Sequence, residues 1–153
     1  MITQFFEDIK NQIGYCGIWC GSCVVGNGAL VELNKRYEKI VKDYGLKEWG
    51  PKDINYKEFM KNLESIKNVS LCPGCLKGGG RTNCEMRACA TDKGIRDCTE
   101  CDKPEACKNV EILEKMRIGA TKADLFVKTK KVDNSKLIEK WTEELKERYK
   151  FLL

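Results

Sequence analysis

Ten cysteines carry most of the chemistry available to this chain of 153 residues, and their spacing is typical of metal ligands. Three form a tight cluster near the start of the chain, and seven lie between residues 72 and 107. Close C-x-x-C pairs are routine in metal-binding turns, whereas structural disulfides usually close longer loops. We therefore predict thiolate ligation, with five disulfides as the alternative that an even count allows. The candidate metal ligands are Cys16, Cys20, Cys23, Cys72, Cys75, Cys84, Cys89, Cys98, Cys101 and Cys107.

Two C-x-x-C motifs give the strongest indication of a metal site. One runs from Cys72 to Cys75 and the other from Cys98 to Cys101, so 22 residues separate them. The arrangement is similar to a zinc ribbon with a somewhat longer separation. In such turns two thiolates converge while backbone N–H groups point at the sulfurs and offset their charge. We expect one tetrahedral ion at these four thiolates, although pairs crossed with other cysteines fit the spacing equally well.

The N-terminal cluster of Cys16, Cys20 and Cys23 is a second, partial site. A tetrahedral ion needs a fourth ligand, which we expect from the cysteine-rich segment. The candidates for that ligand are Cys84, Cys89 and Cys107. The first two are five residues apart on one predicted helix, about 140° apart around its axis, so we expect them to serve different sites. A shared-thiolate cluster that uses nine or ten cysteines is a further alternative.

Zinc is the metal we expect, at about two ions per chain, because it prefers tetrahedral thiolate sites and supplies folding energy to loop-rich segments. A [4Fe–4S] cluster is the alternative, since four thiolates hold it equally well. The chain contains no histidine, which excludes mixed Cys/His sites, histidine general bases and Cys-His nucleophile pairs. We therefore predict a binding or adaptor role with no catalytic residue. An iron–sulfur redox or enzymatic protein is the alternative function.

Charge and hydropathy limit the partners. The formal net charge is +5 at pH 7, and the excess lies in residues 108–153, with 12 basic and 8 acidic side chains. We expect a protein partner, with nucleic acid as an alternative that would use Lys128, Lys130 and Lys131. No run approaches the roughly 18 apolar residues of a membrane span, and the first residues lack the features of a secretory signal. A cytoplasmic location without membrane contact is expected, and no small-molecule ligand is indicated.

Helices are expected to position these thiols in a mainly α fold with little or no β structure. Asn55 and Glu58 fit an N-terminal capping box, and Gly45 and Gly94 fit helix ends. The predicted helical ranges are 3–12, 29–44, 56–67, 84–90, 102–118, 123–131 and the segment after residue 135. The expected buried face of the last helix is Leu137, Ile138, Trp141, Leu145 and Leu152.

The predicted organisation has two parts. Residues 1–118 form a small cysteine-rich domain with a metal-stabilised irregular segment, into which a helical hairpin is inserted at about residues 29–67. Residues 119–153 form a C-terminal helical extension that packs on this domain. The helix expected from residue 102 would place Cys107 in its first turns, where the helix dipole favours a thiolate.

Taken together, these residues resemble a cysteine-rich family of bacteria and archaea, the domain of unknown function 3795. Its pattern begins Tyr-Cys-Gly-Leu-x-Cys-x-x-Cys, continues through Cys-x-Gly-Cys and Cys-x-x-Arg-x-Cys-Ala, and closes with Cys-x-x-Cys and one more Cys. This chain matches all ten cysteines over residues 14–110. The resemblance implies metal binding, commonly presumed to be zinc, and no catalytic activity. Trp19 departs from the pattern, since members often carry an acidic residue there.

Overall fold

A computed structural model describes residues 11–152, which form seven α-helices joined by turns, so the prediction of a mainly α fold is confirmed. The helices are α1 (Val24–Asn27), α2 (Ala29–Asp43), α3 (Leu46–Trp49), α4 (Tyr56–Lys67), α5 (Glu85–Lys93), α6 (Val110–Lys122) and α7 (Asn134–Arg148). Single turns of 3-10 helix lie at Cys20–Ser22, Cys75–Lys77, Cys98–Glu100, Pro104–Ala106 and Lys150–Leu152.

Within residues 11–152, β structure is limited to two isolated bridges, Ile13 with Trp19 and Ile18 with Val127. No helix in this part of the chain is long and apolar enough to cross a bilayer. The helix predicted over residues 3–12 lies outside the described residues except for its last two positions.

Helices α2 and α4 form where the sequence predicts helix, and they pack against each other as a hairpin. The side-chain oxygen of Asn55 accepts the N–H of Glu58 at 3.1 Å and caps α4, because the first N–H groups of a helix have no partner within it. The buried Asn34 of α2 donates its side-chain amide to the backbone oxygen of Leu63 in α4 at 2.7 Å. This buried hydrogen bond fixes the register of the two helices.

The helix predicted from residue 102 begins only at Val110, so that prediction is wrong. Pro104 disfavours the helical region for the residue before it, and Lys103 has φ −128° and ψ 56°. The chain makes one 3-10 turn instead, and Cys107 ends that turn with extended backbone. Cys107 therefore does not lie in the first turns of a helix, and the expected effect of a helix dipole on its thiol does not apply.

Residues 123–131 form no helix, contrary to prediction. Asp124, two residues after the end of α6, has φ at 60°, in the left-handed region. Beyond it the backbone pairs with the N-terminal loop: the N–H of Trp19 donates to Phe126 O at 2.9 Å, and the N–H of Lys128 donates to Gly17 O at 2.8 Å. A Cβ atom at Gly17 would lie 2.3 Å from the backbone oxygen of Lys128, so the approach requires glycine.

The hydrophobic core lies between the N-terminal loop and α7. Trp19 is fully buried, and its ring centroid lies 5.9 Å from that of Trp141 and 6.0 Å from that of Phe126. The buried core cluster comprises Ile13, Trp19, Ala29, Ile138, Trp141, Leu145 and Leu152. The buried face predicted for the last helix is thus confirmed, with Leu137 only partly buried. Trp19, the departure from the family pattern, is a core residue in this chain.

A buried ion pair joins the C-terminal extension to the second C-x-x-C motif. The ammonium of Lys128 donates to the Asp97 carboxylate at 2.7 Å, and both residues are almost fully buried. The other carboxylate oxygen accepts the backbone N–H of Thr99 at 2.8 Å and also its hydroxyl. Lys128 therefore does not belong to the exposed basic cluster that we expected with Lys130 and Lys131.

Removing the cation from this pair is expected to destabilise the fold. Lys128→Met leaves the Asp97 carboxylate buried without its counter-charge, which typically costs about 3–5 kcal/mol of the free energy of unfolding. The double variant Asp97→Asn with Lys128→Met removes both charges and should recover much of this loss. Denaturant unfolding of the three proteins measures the difference. Lys128→Met within about 1 kcal/mol of the unaltered chain would contradict the prediction.

The same pair predicts a loss of stability in acid. Burial raises the pKa of Asp97, but the hydrogen bonds from Lys128 and Thr99 outweigh it and hold this pKa below its usual value. The carboxylate therefore contributes stability above its unfolded pKa of about 3.9, and the contribution is lost as pH falls through the lower folded pKa. Unfolding measured between pH 7 and pH 2 tests this, with Asp97→Asn as the comparison. A fall of equal size in that variant would assign the acid sensitivity to other groups.

Candidate metal centre

All ten cysteines lie in the described part of the chain and carry free thiols. Seven of them fall into two spatial groups. Cys89, Cys98, Cys101 and Cys107 line one pocket and are called the pocket group. Cys20, Cys72 and Cys75 lie close together where the N-terminal loop meets the first C-x-x-C motif, and are called the loop group. Cys16 lies between the two groups, near both Cys75 and Cys98. Cys84 lies near Cys16, and Cys23 precedes α1 as its N-terminal cap residue.

The pocket group surrounds a pocket of about 290 Å³. Cys89 lies in the middle of α5, whereas Cys98 and Cys101 begin and follow one 3-10 turn. Cys107 follows the next 3-10 turn. Three separate elements of the chain therefore direct four thiols to one pocket.

Backbone hydrogen bonds explain how these turns hold their cysteines. Each turn closes on a cysteine N–H: Cys101 donates to Cys98 O at 3.4 Å, and Cys107 donates to Pro104 O at 3.2 Å. The N–H of Cys98 donates to Tyr15 O at 2.8 Å, which anchors the second C-x-x-C motif to the N-terminal loop. Because these donors are satisfied by the protein backbone, the turn geometry is fixed independently of the thiols.

Two cations border the pocket group. The ammonium of Lys93 donates to the Cys101 sulfur at 3.3 Å, and this contact raises the pKa of Lys93. Burial raises the pKa of Cys98 to about 11, although the neighbouring Arg117 guanidinium acts in the opposite direction. A cationic border of this kind offsets part of the negative charge that several thiolates would carry together.

The loop group is held by one buried side chain, Gln12. Its amide oxygen accepts the N–H of Leu76 at 3.0 Å and lies 3.8 Å from the Cys20 sulfur. Its amide nitrogen donates to Pro73 O at 3.2 Å. Gln12 itself is 7% exposed, and the bonds it makes are partly buried. One residue thus fixes the first C-x-x-C motif against the N-terminal loop.

Two free thiols of the loop group form a hydrogen bond with each other. Cys20 donates a hydrogen bond to the Cys75 sulfur, which lowers the pKa of Cys75 and raises that of Cys20. The N–H of Tyr15 also points at the Cys75 sulfur and favours its thiolate, and Arg87 acts in the same direction. Cys75 is therefore the member of this pair that ionises first.

Glycines leave the space that the loop-group sulfurs occupy. A Cβ atom at Gly14 would lie 2.8 Å from the Cys75 sulfur, and one at Gly79 would lie 2.8 Å from the Cys72 sulfur. Contacts that short do not occur without displacement of an atom. Glycine at these two positions therefore allows backbone to pass directly beside both sulfurs of the first C-x-x-C motif.

The structure groups the thiols differently from the arrangement that spacing suggested. The two C-x-x-C motifs do not share one set: Cys72 and Cys75 lie beside Cys20, whereas Cys98 and Cys101 line the pocket. Of the two cysteines near α5, Cys89 lines the pocket and Cys84 lies near Cys16, and their service to different metal sites stays a prediction.

Thiols that lie near one another do not by themselves form a metal site. Between residues 11 and 152, no group of three or more cysteine or carboxylate side chains is arranged to hold a metal ion. Binding would require the thiols of a group to rotate toward a common point while their backbone supports stay in place. Metal binding by the ten cysteines stays a prediction.

Several residues that shape these groups gave no signal in the sequence. Gln12 lies in a stretch that resembles an amphipathic helix, and Lys93 and Arg117 are ordinary helix-surface residues by pattern. Only the folded chain places them against cysteine sulfurs or cysteine-bearing turns. A glutamine two residues before a tight turn, such as Gln12 before Gly14, is too common a feature to have indicated its role.

The paired thiols predict unequal reactivity in the metal-free chain. The thiolate is the nucleophile, so iodoacetamide at pH 7 is expected to modify Cys75 before Cys98, whose pKa is raised. Peptide mass mapping after limited labelling measures the order. The same chain in denaturant is the control and should react at both positions at similar rates. Equal rates in the folded, metal-free chain would overturn this assignment of the thiolate.

A family model for proteins of unknown function, DUF3795, matches residues 12–112 of the chain. The matched range contains all ten cysteines and ends near the start of α6. Comparison with curated proteins and with solved structures found no match.

Proposed function

The chain belongs to the DUF3795 family of proteins of unknown function, and we propose that it is a zinc-binding protein whose metal centre uses the pocket group. One observation carries the proposal: four thiols from three separate elements line a single pocket. Structural zinc sites take four thiolates in a tetrahedral arrangement. Cys89, Cys98, Cys101 and Cys107 supply that number.

The surroundings of the pocket support a metal that stabilises the fold. Between the end of α5 at Lys93 and the start of α6 at Val110, the chain forms only two single 3-10 turns. Such a segment buries little apolar surface, and a structural zinc ion would supply folding free energy there. Four thiolates around Zn²⁺ carry a net charge of about −2, which Lys93 and Arg117 at the pocket would offset.

A zinc ion with four thiolate ligands has no open position for water or substrate, so the proposed role is binding rather than catalysis. A protein is the proposed partner. The hairpin supports this role, because Tyr37, Tyr44 and Trp49 are 48%, 70% and 65% exposed, and aromatic side chains are enriched at protein interfaces. A nucleic-acid partner has less support, since the buried Lys128 is unavailable to it. The reducing cytoplasm, where thiols persist, is the proposed location.

Metal analysis tests the proposal directly. We expect anaerobically purified protein to be colourless and to contain zinc, and we expect Cys98→Ser with Cys101→Ser to lose about one zinc ion per chain. Cys23→Ser is the matched control, because Cys23 does not line the pocket. Elemental analysis gives the stoichiometry of each protein.

Two results would contradict this proposal. Full zinc content in the Cys98→Ser, Cys101→Ser variant would place the metal outside the pocket group. Brown protein that contains iron and acid-labile sulfide would replace zinc with an iron–sulfur cluster, and the redox or enzymatic alternative would then take its place.

A further inference from the structure

We propose that the solvent-facing side of α2 is a dimerisation surface, on which a second copy of this chain packs its own α2 in the antiparallel direction. The inference rests on the protein-binding role proposed for the hairpin, and it is independent of the zinc centre. Two observations support it: a row of exposed apolar side chains at coiled-coil spacing, and charges beside that row that complement each other when the helix meets itself.

Helix α2 turns a largely polar side toward α4 and an apolar side toward solvent. Asn34, Glu38 and Val41 are all buried. The Asn34 amide bonds to Leu63 O of α4, and the Glu38 carboxylate accepts from Lys67 of α4 at 3.2 Å. An amphipathic helix of a globular protein ordinarily buries its apolar stripe against the core. In α2 that stripe is left available to another molecule.

The apolar stripe of α2 has the spacing of a coiled-coil seam. Its members recur alternately three and four residues apart, which is the pattern of heptad positions a and d. They are called the α2 seam and comprise Leu30, Leu33, Tyr37, Ile40 and Tyr44. Leu33 is 37% exposed and Ile40 is 53% exposed, and both tyrosines are more than 45% exposed. So narrow a stripe suits packing against a single helix.

The charges beside the α2 seam select a second copy as that helix. Arg36 and Asp43 occupy the two g positions, on one border of the seam. When two such helices run antiparallel about a twofold axis, g positions face g positions, and Arg36 of each copy lies against Asp43 of the other. In a parallel pair each g position faces an e position, and the e positions of α2 are the uncharged Asn34 and Val41.

Both border charges are accessible to a partner. The Arg36 guanidinium donates to the backbone oxygens of Phe151 and Leu152 at 2.6 Å and 3.0 Å, yet its side chain stays half exposed. The Asp43 carboxylate pairs with Lys39 one turn earlier and is also half exposed. Exposed pairs of this kind along one helix contribute little, so either charge can turn toward an opposite charge on a second copy at small cost.

Aromatic side chains widen the apolar surface around the seam. The ring of Phe59 in α4 lies 6.2 Å from that of Tyr37, measured between centroids. Trp49 donates its indole N–H to Tyr44 O at the end of α2, and Phe151 is held beside Arg36 by the backbone contact described above. Both Trp49 and Phe151 are exposed. A twofold axis would bury this set on each copy, and aromatic side chains are enriched in interfaces.

Sedimentation equilibrium of the anaerobically purified chain tests the dimer, in a reducing buffer that excludes disulfide-linked species. We expect a mass twice the 17.5 kDa of one chain. Ile40→Glu is expected to be monomeric, because a dimer would bury two like charges in the seam. Ile118→Glu is the matched control, since Ile118 is 56% exposed on α6 and lies outside the seam, and it should dimerise like the unaltered chain.

Three results would overturn the proposal: a monomeric unaltered chain, an Ile40→Glu chain that still dimerises, or a dimer that Ile118→Glu also dissociates. A monomer that uses Ile40 to bind a different protein belongs to the first of these. Zinc measured on the same samples separates the two proposals. A monomer that retains its zinc contradicts the dimer alone, whereas a dimer without zinc contradicts the pocket centre alone.

A second pair of variants tests the antiparallel arrangement. Asp43→Arg and Lys39→Gln both break the ion pair between these residues, but only position 43 borders the seam. Asp43→Arg sets two arginines against each other in the dimer and is expected to raise its dissociation constant about tenfold. Lys39→Gln is expected to leave that constant unchanged. Equal dissociation constants for the two variants would contradict the antiparallel pairing.

Discussion

A buried charge pair is the interaction on which the cysteine-rich part of this fold depends. Moving Asp97 and Lys128 out of water costs several kcal/mol per ion, and the cost is offset only where every polar atom finds a partner. Asp97 meets that condition, since one of its oxygens accepts from Lys128 and the other from Thr99. Lys128 and Cys98 in turn donate their backbone N–H groups to Gly17 and Tyr15. The pair thus specifies how three distant segments meet, which matters more here than its net contribution to stability.

Apolar packing stabilises one part of the molecule, and polar contacts hold the cysteine-rich turns. The tryptophan-centred core joins the N-terminal loop to α7, far along the chain from the cysteine-rich turns. Those turns gain little from burial: Leu76, in the Cys75–Lys77 turn, is 46% exposed. Single hydrogen bonds such as those of Gln12 contribute about 1 kcal/mol each, whereas metal binding by thiolates contributes on the order of 10 kcal/mol. The proposed zinc ion would therefore stabilise this segment more than any single hydrogen bond in it does.

Local signals predicted the parts of the fold that depend on local interactions. The capped helix α4 follows from Asn55 and from apolar residues at helical spacing, and both act within a few residues. The segment after Asp124 was predicted wrongly because its backbone pairs with residues more than 100 positions away. No periodicity within the segment itself contains that information. The helix break at Lys103, by contrast, is visible in the sequence, because Pro104 disfavours helical backbone for the residue before it.

The candidate ligands were likewise easier to predict than their arrangement. Residue type and C-x-x-C spacing indicate which cysteines are suited to a metal, but spacing along the chain does not determine which turns lie together. The first C-x-x-C motif meets the N-terminal loop because the side chain of Gln12, which belongs to that loop, hydrogen-bonds to the motif. Nothing in the sequence distinguishes Gln12 from a surface glutamine. The division into a pocket group and a loop group is therefore a property of tertiary structure.

The order in which the ribosome makes the chain gives the charge pair a further consequence. All ten cysteines emerge before Lys128, and Trp19 emerges long before its core partner Trp141. A nascent chain that ends shortly after Cys107 therefore holds every thiol but neither the cation that neutralises Asp97 nor the core that covers Trp19. If the proposed zinc ion binds at that stage of synthesis, it would be the strongest long-range interaction open to the chain. In this protein, all the cysteine thiols are therefore synthesised before the residues that complete the hydrophobic core.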